Sequence, residues 1–256
     1  MTSPDQSPLV VYRGSGKTGA FVWSPFVTKL EARLRFAGVP YKVGTGSPAS
    51  APRGKIPYVE IGSAGEQLGD SALIIQRLVD DGTATDLNAR LSPAQRAHDL
   101  AIRALLEDKV YFYTAREKWC DNYAIMRAGA LAAVPWPAQW LVGLLAHRGV
   151  ARTLDGQGAG RLTDDEVAAA KAEVWEGVDA LLGEARRAGA GDGAPFWVLG
   201  GAGPTEADAT VFGFVAGSLV CEAAPTTAKI VRSYPVVVEY AERIHQKFFP
   251  DYEKWD

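Results

Sequence analysis

The chain has 256 residues, 47% of them hydrophobic, and a formal net charge of −3 at pH 7. A chain of this length can bury a full core as one large domain or two smaller ones. An acidic balance with no basic stripe argues against a protein that grips nucleic acid through its phosphates. Cys120 and Cys221 stand far apart and the three histidines are scattered, so the sequence predicts neither a disulfide framework nor a metal site.

Membrane and export signals are absent from the pattern. Residues 1–8 are polar and lack the basic and apolar regions of a secretory signal. The apolar run at 134–146 is interrupted by prolines and a glutamine, and it is shorter than the roughly 20 residues that a spanning helix needs. We therefore expect a buried helix at this run, in a soluble cytoplasmic protein with no membrane span.

The N-terminal third begins with a strand, a helix and a strand. An apolar run at 9–12 predicts a buried strand. Ser24 followed by Pro25 is typical of a helix start. The apolar residues of this helix recur at helical spacing with charged residues between them, as in an amphipathic helix, and Gly38 ends it. Residues 41–43 predict the second strand.

A hairpin and a helix complete this part. Residues 56–61 and 66–68 suit two strands joined by a turn at 62–65. A helix is expected to begin at Asp70 and to end at Asp80. The residues predicted on its inner face are Leu73, Ile74 and Leu78.

The remaining two-thirds of the chain reads as helical. The predicted domains are residues 1–81, an α/β domain; residues 82–91, a linker; and residues 92–256, an all-helical domain. A long helix is expected to run from the capping box at Ser92 toward Cys120, and further capping boxes lie at Thr163 and Thr205. The helix after Thr205 is apolar nearly all round, so we expect it at the centre of the second domain.

Two motifs resemble known catalytic sequences and are set aside. Residues 14–18 read like the end of a phosphate-binding loop, but the first glycine of that motif would fall at Val11, inside the strand. Residues 69–72 resemble a hydrolase serine motif, which needs a downstream histidine in a suitable context. A helix cap at Asp70 or Ser71 is the interpretation that we favour.

Two predicted helix starts, at Ser24 and at Asp70, carry the candidate chemistry. A helix N-terminus carries about half a positive charge and favours anions, so a thiolate near Ser24 is stabilised there. Ser71 suits a carboxylate and Asp70 an amine, which together match an amino-acid head. Pro57 opens a strand, and a cis bond there leaves the backbone of Ile56 free to pair with an extended peptide.

This series of motifs resembles the glutathione transferase superfamily, in its failed-axon-connections and metaxin-like branch. The matching sequences are spread over nearly the whole chain. They lie at residues 23–31, 37–41, 54–58, 70–75, 156–158, 204–209 and 234–250. The resemblance implies a thioredoxin-like glutathione-binding domain followed by an all-α domain, which is the glutathione transferase fold.

The resemblance gives Ser24 the catalytic role. Its hydroxyl would hydrogen-bond the glutathione sulfur and lower the thiol pKa, each unit corresponding to about 1.4 kcal/mol. The plain alternative is an N-cap worth about 1 kcal/mol. Tyr12 is a rival because some branches use a tyrosine near the end of the first strand; we favour a buried strand aromatic.

The same resemblance implies the other contacts. Ile56, before a cis Pro57, would pair its backbone with the cysteinyl part, and Asp70 and Ser71 would hold the γ-glutamyl end. The glycine carboxylate would meet one of two cations, Lys55 or Arg53. The candidates for a second-substrate pocket, which are otherwise core residues of their helix, are Tyr111, Tyr113, Arg116 and Trp119.

Two functions follow from this resemblance. The first is a glutathione transferase-like enzyme, with glutathione as co-substrate and no metal, that activates the thiol for attack on a small apolar electrophile. The alternative is a non-catalytic glutathione- or ligand-binding protein, or a metaxin-like interaction protein that keeps the fold. Homodimers are common in the superfamily, although the sequence specifies no interface. No nucleic-acid partner is expected.

Overall fold

The computed structural model describes residues 9–62, 65–189 and 193–256. The polar N-terminal residues 1–8, and residues 63 and 64 of the expected hairpin turn, lie outside the described residues.

The N-terminal part is built around a four-stranded sheet in the order β2-β1-β3-β4. The strands are β1 (Leu9–Tyr12), β2 (Tyr41–Gly44), β3 (Tyr58–Ile61) and β4 (Glu66–Gly69). Helix α1 (Pro25–Phe36) connects β1 to its parallel neighbour β2, whereas β3 pairs antiparallel with both β1 and β4. Helix α2 (Ser71–Asp80) follows β4. The predicted order of these strands and helices along the chain is confirmed.

Helix α2 packs on the sheet through Ile74, Ile75 and Leu78, which are all buried. The prediction that Leu73 belongs to this inner face is wrong, because its side chain is 38% exposed. Ile75 takes that place, since it lies on the same helical face as Leu78 and as the buried Ser71.

Helix α1 has no solvent-facing side over most of its length, contrary to its amphipathic pattern. Lys29, Glu31 and Arg33 are at most 1% exposed. Each forms an ion pair, and the pairs are Lys29–Glu107, Arg13–Glu31 and Arg33–Glu206. The charged face is buried because the helical part of the chain covers the side of α1 that the sheet leaves open. Buried charges of this kind are tolerated only when they are paired.

The long helix expected between Ser92 and Cys120 is continuous but changes its winding twice. Its segments are α3 (Pro93–Leu105), a π-helical turn (Leu106–Val110), α4 (Tyr111–Arg116) and a second π-helical turn (Glu117–Asp121). Ser92 makes the predicted capping box with Gln95. π-Helical turns are rare and are often found at functional sites.

The helices after the second π-helical turn have the following bounds. They are α5 (Tyr123–Ala130), α6 (Trp136–Gln157), a 3-10 turn (Ala159–Arg161), α7 (Asp164–Gly189), α8 (Glu206–Leu219), α9 (Pro225–Arg232) and α10 (Pro235–Phe248). Helix α8 is the central helix that the sequence predicted, and α1, α3, α9 and α10 pack against it. Every residue of α8 after Glu206 is buried. Thr205 and Asp208 form the predicted capping box, and the Asp208 carboxylate also accepts hydrogen bonds from the backbone N–H of Val198 and the hydroxyl of Tyr240.

The expectation of a buried helix at 134–146 is wrong. In α6 the side chains of Trp136, Leu141 and Leu145 are 73%, 63% and 58% exposed. Helix α6 packs on its neighbours through one narrow side, where only Gly143 and Leu154 are fully buried. The other sides of its first half carry no covering element among the residues that the structure describes, so the apolar side chains there face outward.

Candidate functional site

Three strand ends and the start of α2 meet at one edge of the sheet. Tyr12 stands opposite Tyr58 in the β1–β3 pair, and Tyr58 stands opposite Gly69 in the β3–β4 pair. The residues just beyond these positions, including Pro57 and Asp70, therefore lie at the same edge. Helix α1 follows β1 and leads to the parallel strand β2, so we infer that α1 also starts on the side of the sheet where β1 ends.

Ser24 is the N-cap residue of α1, but its hydroxyl makes no capping hydrogen bond. The Ser24 carbonyl accepts the first helical bonds, from the N–H groups of Val27 and Thr28. Pro25 has no N–H, and the N–H of Phe26 has no backbone partner within the described chain. The start of α1 thus has a Ser24 hydroxyl and a Phe26 N–H that make no hydrogen bond to a described residue. The alternative role of Ser24 as a simple N-cap is not supported, because its hydroxyl does not make the capping hydrogen bond.

The segment before α1 is held by the helical part of the protein. The buried Lys118, in the second π-helical turn, donates a hydrogen bond of 3.0 Å to the carbonyl oxygen of Trp23. The Trp23 ring packs closely over Gly129 of α5, and Pro25 lies against Gly213 of α8. These contacts join residues that are far apart in sequence, so no local sequence pattern predicts them.

The bond between Ile56 and Pro57 is cis. Pro57 is buried, and the side chain of Ile56 packs against Gly14, where an added Cβ would lie 2.7 Å from the Ile56 Cδ1. Strand β3 begins only at Tyr58, two residues later than predicted. The backbone N–H and carbonyl of Ile56 therefore lie outside the sheet ladder, with no backbone partner in the described part of the chain.

Asp70 has φ 80° and is the only non-glycine residue with a positive φ in residues 9–62, 65–189 and 193–256. Its carboxylate Oδ1 accepts hydrogen bonds from the N–H groups of Ala72 and Leu73, at 2.9 and 3.4 Å. Ser71 is 5% exposed; its hydroxyl makes no hydrogen bond to a described residue, yet its oxygen is not sealed from solvent. Strained positions of this kind cost roughly 1–3 kcal/mol and cluster at functional sites.

The two candidate cations for the glycine carboxylate, Arg53 and Lys55, form no salt bridge with a described residue. Arg53 and Lys55 are both exposed, in a turn-rich loop between β2 and β3 that contains no helix. The Cβ and Cγ atoms of Arg53 lie against Gly69, where an added Cβ would approach them to 3.4 Å. The side chain of Arg53 therefore starts next to Asp70, whereas no contact of Lys55 relates it to the strand ends.

Tyr12, the rival to Ser24, is engaged elsewhere. Its ring stacks on Tyr58 with centroids 4.5 Å apart and planes 9° apart. Its hydroxyl donates a hydrogen bond of 2.9 Å to Glu60 Oε2, and this bond raises the pKa of the Tyr12 phenol. A phenol that already donates to a carboxylate has no proton to offer a sulfur atom, which favours Ser24.

Of the four residues predicted for a second-substrate pocket, Tyr111 has a ring contact with the first turn of α1. Its ring packs edge-on against Phe26, two residues after Ser24, with centroids 5.0 Å apart. Burial raises the pKa of the Tyr111 phenol, so this side chain presents an uncharged surface beside Phe26. Trp119 is half-buried in the second π-helical turn and makes no ring contact with another described aromatic residue.

Tyr113 and Arg116 are not brought together with Tyr111. Tyr113 lines a separate cavity against Val174 of α7. Arg116 donates hydrogen bonds of 2.6 Å to the carbonyl oxygen of Leu162 and to Asp164 Oδ1, so it anchors the segment before α7.

Both cysteines of the chain have thiols whose pKa is raised. Cys221 packs in a small cluster with Trp23, and burial raises the pKa of its thiol. The pKa of the exposed Cys120 is raised as well, first by burial of its sulfur and then by Asp121. Within the described ranges, no three His, Cys, Asp or Glu side chains are grouped so that they could hold a metal ion.

Comparisons with known proteins agree with this architecture. Residues 25–124 match the family model described as the glutathione S-transferase N-terminal domain. One similar solved structure is glutathione transferase GSTFuA3 from Phanerochaete chrysosporium, with a TM-score of 0.60 and 16% identity over 98% of this chain and 99% of that one. A second is a glutathione S-transferase from Methylobacterium radiotolerans in complex with glutathione sulfonate, with a TM-score of 0.54 and 15% identity over 98% of this chain and 96% of that one. A third is rice GST1 in complex with glutathione, with a TM-score of 0.54 and 16% identity over 98% of this chain and 92% of that one.

These similarities establish the fold. The protein has a thioredoxin-like N-terminal part followed by an all-α part, which is the glutathione transferase fold and confirms the sequence prediction. The family match over residues 25–124 supports the glutathione transferase superfamily, and the solved structures show the fold. The metaxin-like branch stays a prediction.

Proposed function

We propose that this protein binds glutathione at the described sheet edge and activates its thiol for attack on a small apolar electrophile. The observation that carries the proposal is the start of α1, where the Ser24 hydroxyl and the Phe26 N–H are unengaged. A thiolate placed there gains one hydroxyl donor, one backbone donor and the positive end of the helix. Each of these favours the ionised sulfur over the thiol.

The rest of the edge suits the other parts of the tripeptide. The free backbone of Ile56 can pair with the cysteinyl residue as one more strand-like partner. Asp70 keeps its second carboxylate oxygen for an ammonium group, and the Ser71 hydroxyl is open to a carboxylate. Arg53 is the better placed cation for the glycine carboxylate, because its stem lies against Gly69.

The chemical step needs few protein groups beyond those that position the thiolate. The thiol proton leaves to solvent, the thiolate donates its electron pair to an electrophilic carbon, and a leaving group departs with the bonding pair. Tyr111 and Phe26 offer an apolar wall at the start of α1, against which such an electrophile can lie. The two free cysteines agree with a reducing compartment, and we propose the cytoplasm.

The direct test is calorimetric titration with glutathione, followed by turnover with chlorodinitrobenzene and a panel of other electrophiles. We expect saturable binding with Kd between about 1 μM and 1 mM, as is usual for substrates. Cysteinylglycine, which lacks the γ-glutamyl group, is the matched control and should bind at least about tenfold more weakly, because Asp70 and Ser71 lose their ligand. Absence of saturable glutathione binding contradicts the proposal. Binding without turnover of any electrophile supports the non-catalytic alternative.

Asp70→Gly separates function from stability at the γ-glutamyl end. Glycine adopts φ 80° without strain, and glycine replaces an N-cap residue at a cost of a few tenths of a kcal/mol. We therefore expect an unfolding free energy that is unchanged or raised by about 1 kcal/mol, while glutathione affinity falls about tenfold or more through loss of the carboxylate. Urea denaturation and calorimetry measure the two effects. Asp70→Asn, which keeps an oxygen for the cap, is the control for charge; full affinity in both variants removes Asp70 from the site.

A further inference from the structure

The first half of α6 carries an apolar surface that the glutathione site does not use. We define the α6 outer face by residues that recur on one side of this helix, at steps of three and four. They are Leu141, Leu144, Leu145, Arg148 and Arg152. The three leucines are 63%, 42% and 58% exposed, and both arginines are exposed as well.

Two tryptophans lie at the N-terminal end of this face. Trp136 is 73% exposed and Trp140 is 55% exposed. The guanidinium carbon of Arg127 lies 4.1 Å from the centre of the Trp140 ring, so a cation from α5 orients that ring. An exposed run of large apolar side chains is unusual on a protein surface and marks an interaction site.

The charged residues of the α6 outer face are basic, and the nearest acidic residue along the chain, Asp155, lies one turn beyond Arg152 and pairs with Arg161. Residues 122–154 contain no Asp or Glu, in a chain that has 30 of them. The same stretch carries Arg127, Arg148 and Arg152 together with His147. A partner for this face must therefore offer both an apolar layer and negative charge.

We propose that the α6 outer face docks on the surface of an anionic lipid bilayer. Helices that lie in a membrane interface combine leucine and tryptophan on one part of their surface with arginine or lysine at headgroup level, and Trp is enriched at that depth. No described helix is both long and apolar enough to cross a bilayer, so α6 would lie on the membrane rather than span it. The inference does not depend on glutathione binding.

A second copy of the chain fits this face less well. A two-fold interface would bring the same patch of each copy together. Arg148 and Arg152 would then meet the same basic face, where the nearest carboxylate, that of Asp155, already pairs with Arg161. An anionic lipid surface supplies that negative charge.

Vesicle flotation with the full chain tests the proposal. We expect binding to phosphatidylcholine–phosphatidylserine vesicles, and binding about tenfold or more weaker to phosphatidylcholine alone or at raised salt. The double variant Leu141→Ser/Leu145→Ser should lose about tenfold or more in partitioning, because each leucine leaves the interface. Leu100→Ser on α3 is the matched control, since Leu100 is also 58% exposed, and it should bind as the parent does.

A second variant keeps the test decisive if the leucine variant misfolds. Arg148→Gln/Arg152→Gln should weaken binding to phosphatidylserine vesicles about tenfold or more and remove most of the salt dependence. Failure of the parent protein to bind these vesicles overturns the proposal, and so does unchanged binding by both double variants. A dimer in sedimentation that Leu141→Ser/Leu145→Ser dissociates, without vesicle binding, identifies a second copy as the occupant and overturns it as well.

Discussion

Replacement of Ser24 by alanine is expected to lower kcat/KM for glutathione with chlorodinitrobenzene by about 10²- to 10³-fold, the usual loss when one donor to a developing or localised charge is removed. The free energy of unfolding should change by less than about 0.5 kcal/mol, because the Ser24 hydroxyl makes no capping bond in the folded protein. Initial rates and urea denaturation measure the two quantities.

The rate loss in Ser24→Ala is also expected to depend on pH. A hydroxyl that stabilises the thiolate lowers the pKa of the bound thiol, so its removal must raise that pKa. The rate deficit of Ser24→Ala should therefore be largest near neutral pH and should shrink above the thiol pKa of the variant. Ultraviolet absorbance of the bound thiolate follows the same titration without turnover.

Two further variants decide between Ser24 and its rival. Ser24→Thr keeps a hydroxyl at the start of α1 and should retain much of the activity that the alanine variant loses. Tyr12→Phe should leave the rate nearly unchanged, because the Tyr12 hydroxyl donates to Glu60. Activity that survives in Ser24→Ala and disappears in Tyr12→Phe transfers the catalytic role to the tyrosine.

Features that depend on near neighbours in sequence could be predicted. The capping boxes at Ser92 and Thr205 need only a hydroxyl and a side chain three residues later, and both are present. The start of α1 at Pro25 and the order of the strands follow from equally local patterns. The cis bond before Pro57 could not be predicted in this way, because the presence of proline alone does not determine the isomer of the bond before it.

Features that depend on what covers a surface could not be predicted. The charged side of α1 is buried because the helical part of the chain covers it, and the apolar side of α6 is exposed because no described element does. Periodicity shows that two sides of a helix differ, but it does not show which one meets another part of the fold. The bond from Lys118 to Trp23, between residues 95 apart, is invisible for the same reason.

Gly213→Ala is expected to cause the largest loss of stability among these variants. An added Cβ at Gly213 would lie 2.6 Å from the Pro25 carbonyl oxygen and 2.7 Å from the Lys29 nitrogen. Both are backbone atoms of α1, so no side chain can turn aside and α1 itself must shift. We expect the free energy of unfolding to fall by about 3 kcal/mol, the upper range for an overpacked core. Turnover should fall too, because Pro25 follows Ser24 directly.

Two matched glycines separate this close approach from a general effect of alanine in a helix. At Gly217, one turn further along α8, the nearest atoms are those of Pro25 at 3.3–3.5 Å, so Gly217→Ala should cost less. At Gly177 of α7 an added Cβ meets nothing within 4 Å, and alanine should stabilise by about 0.5–1 kcal/mol through helix propensity. Equal urea midpoints for Gly213→Ala and Gly177→Ala would show that α1 does not rest on α8 in this way. The position of Ser24 would then need another cause.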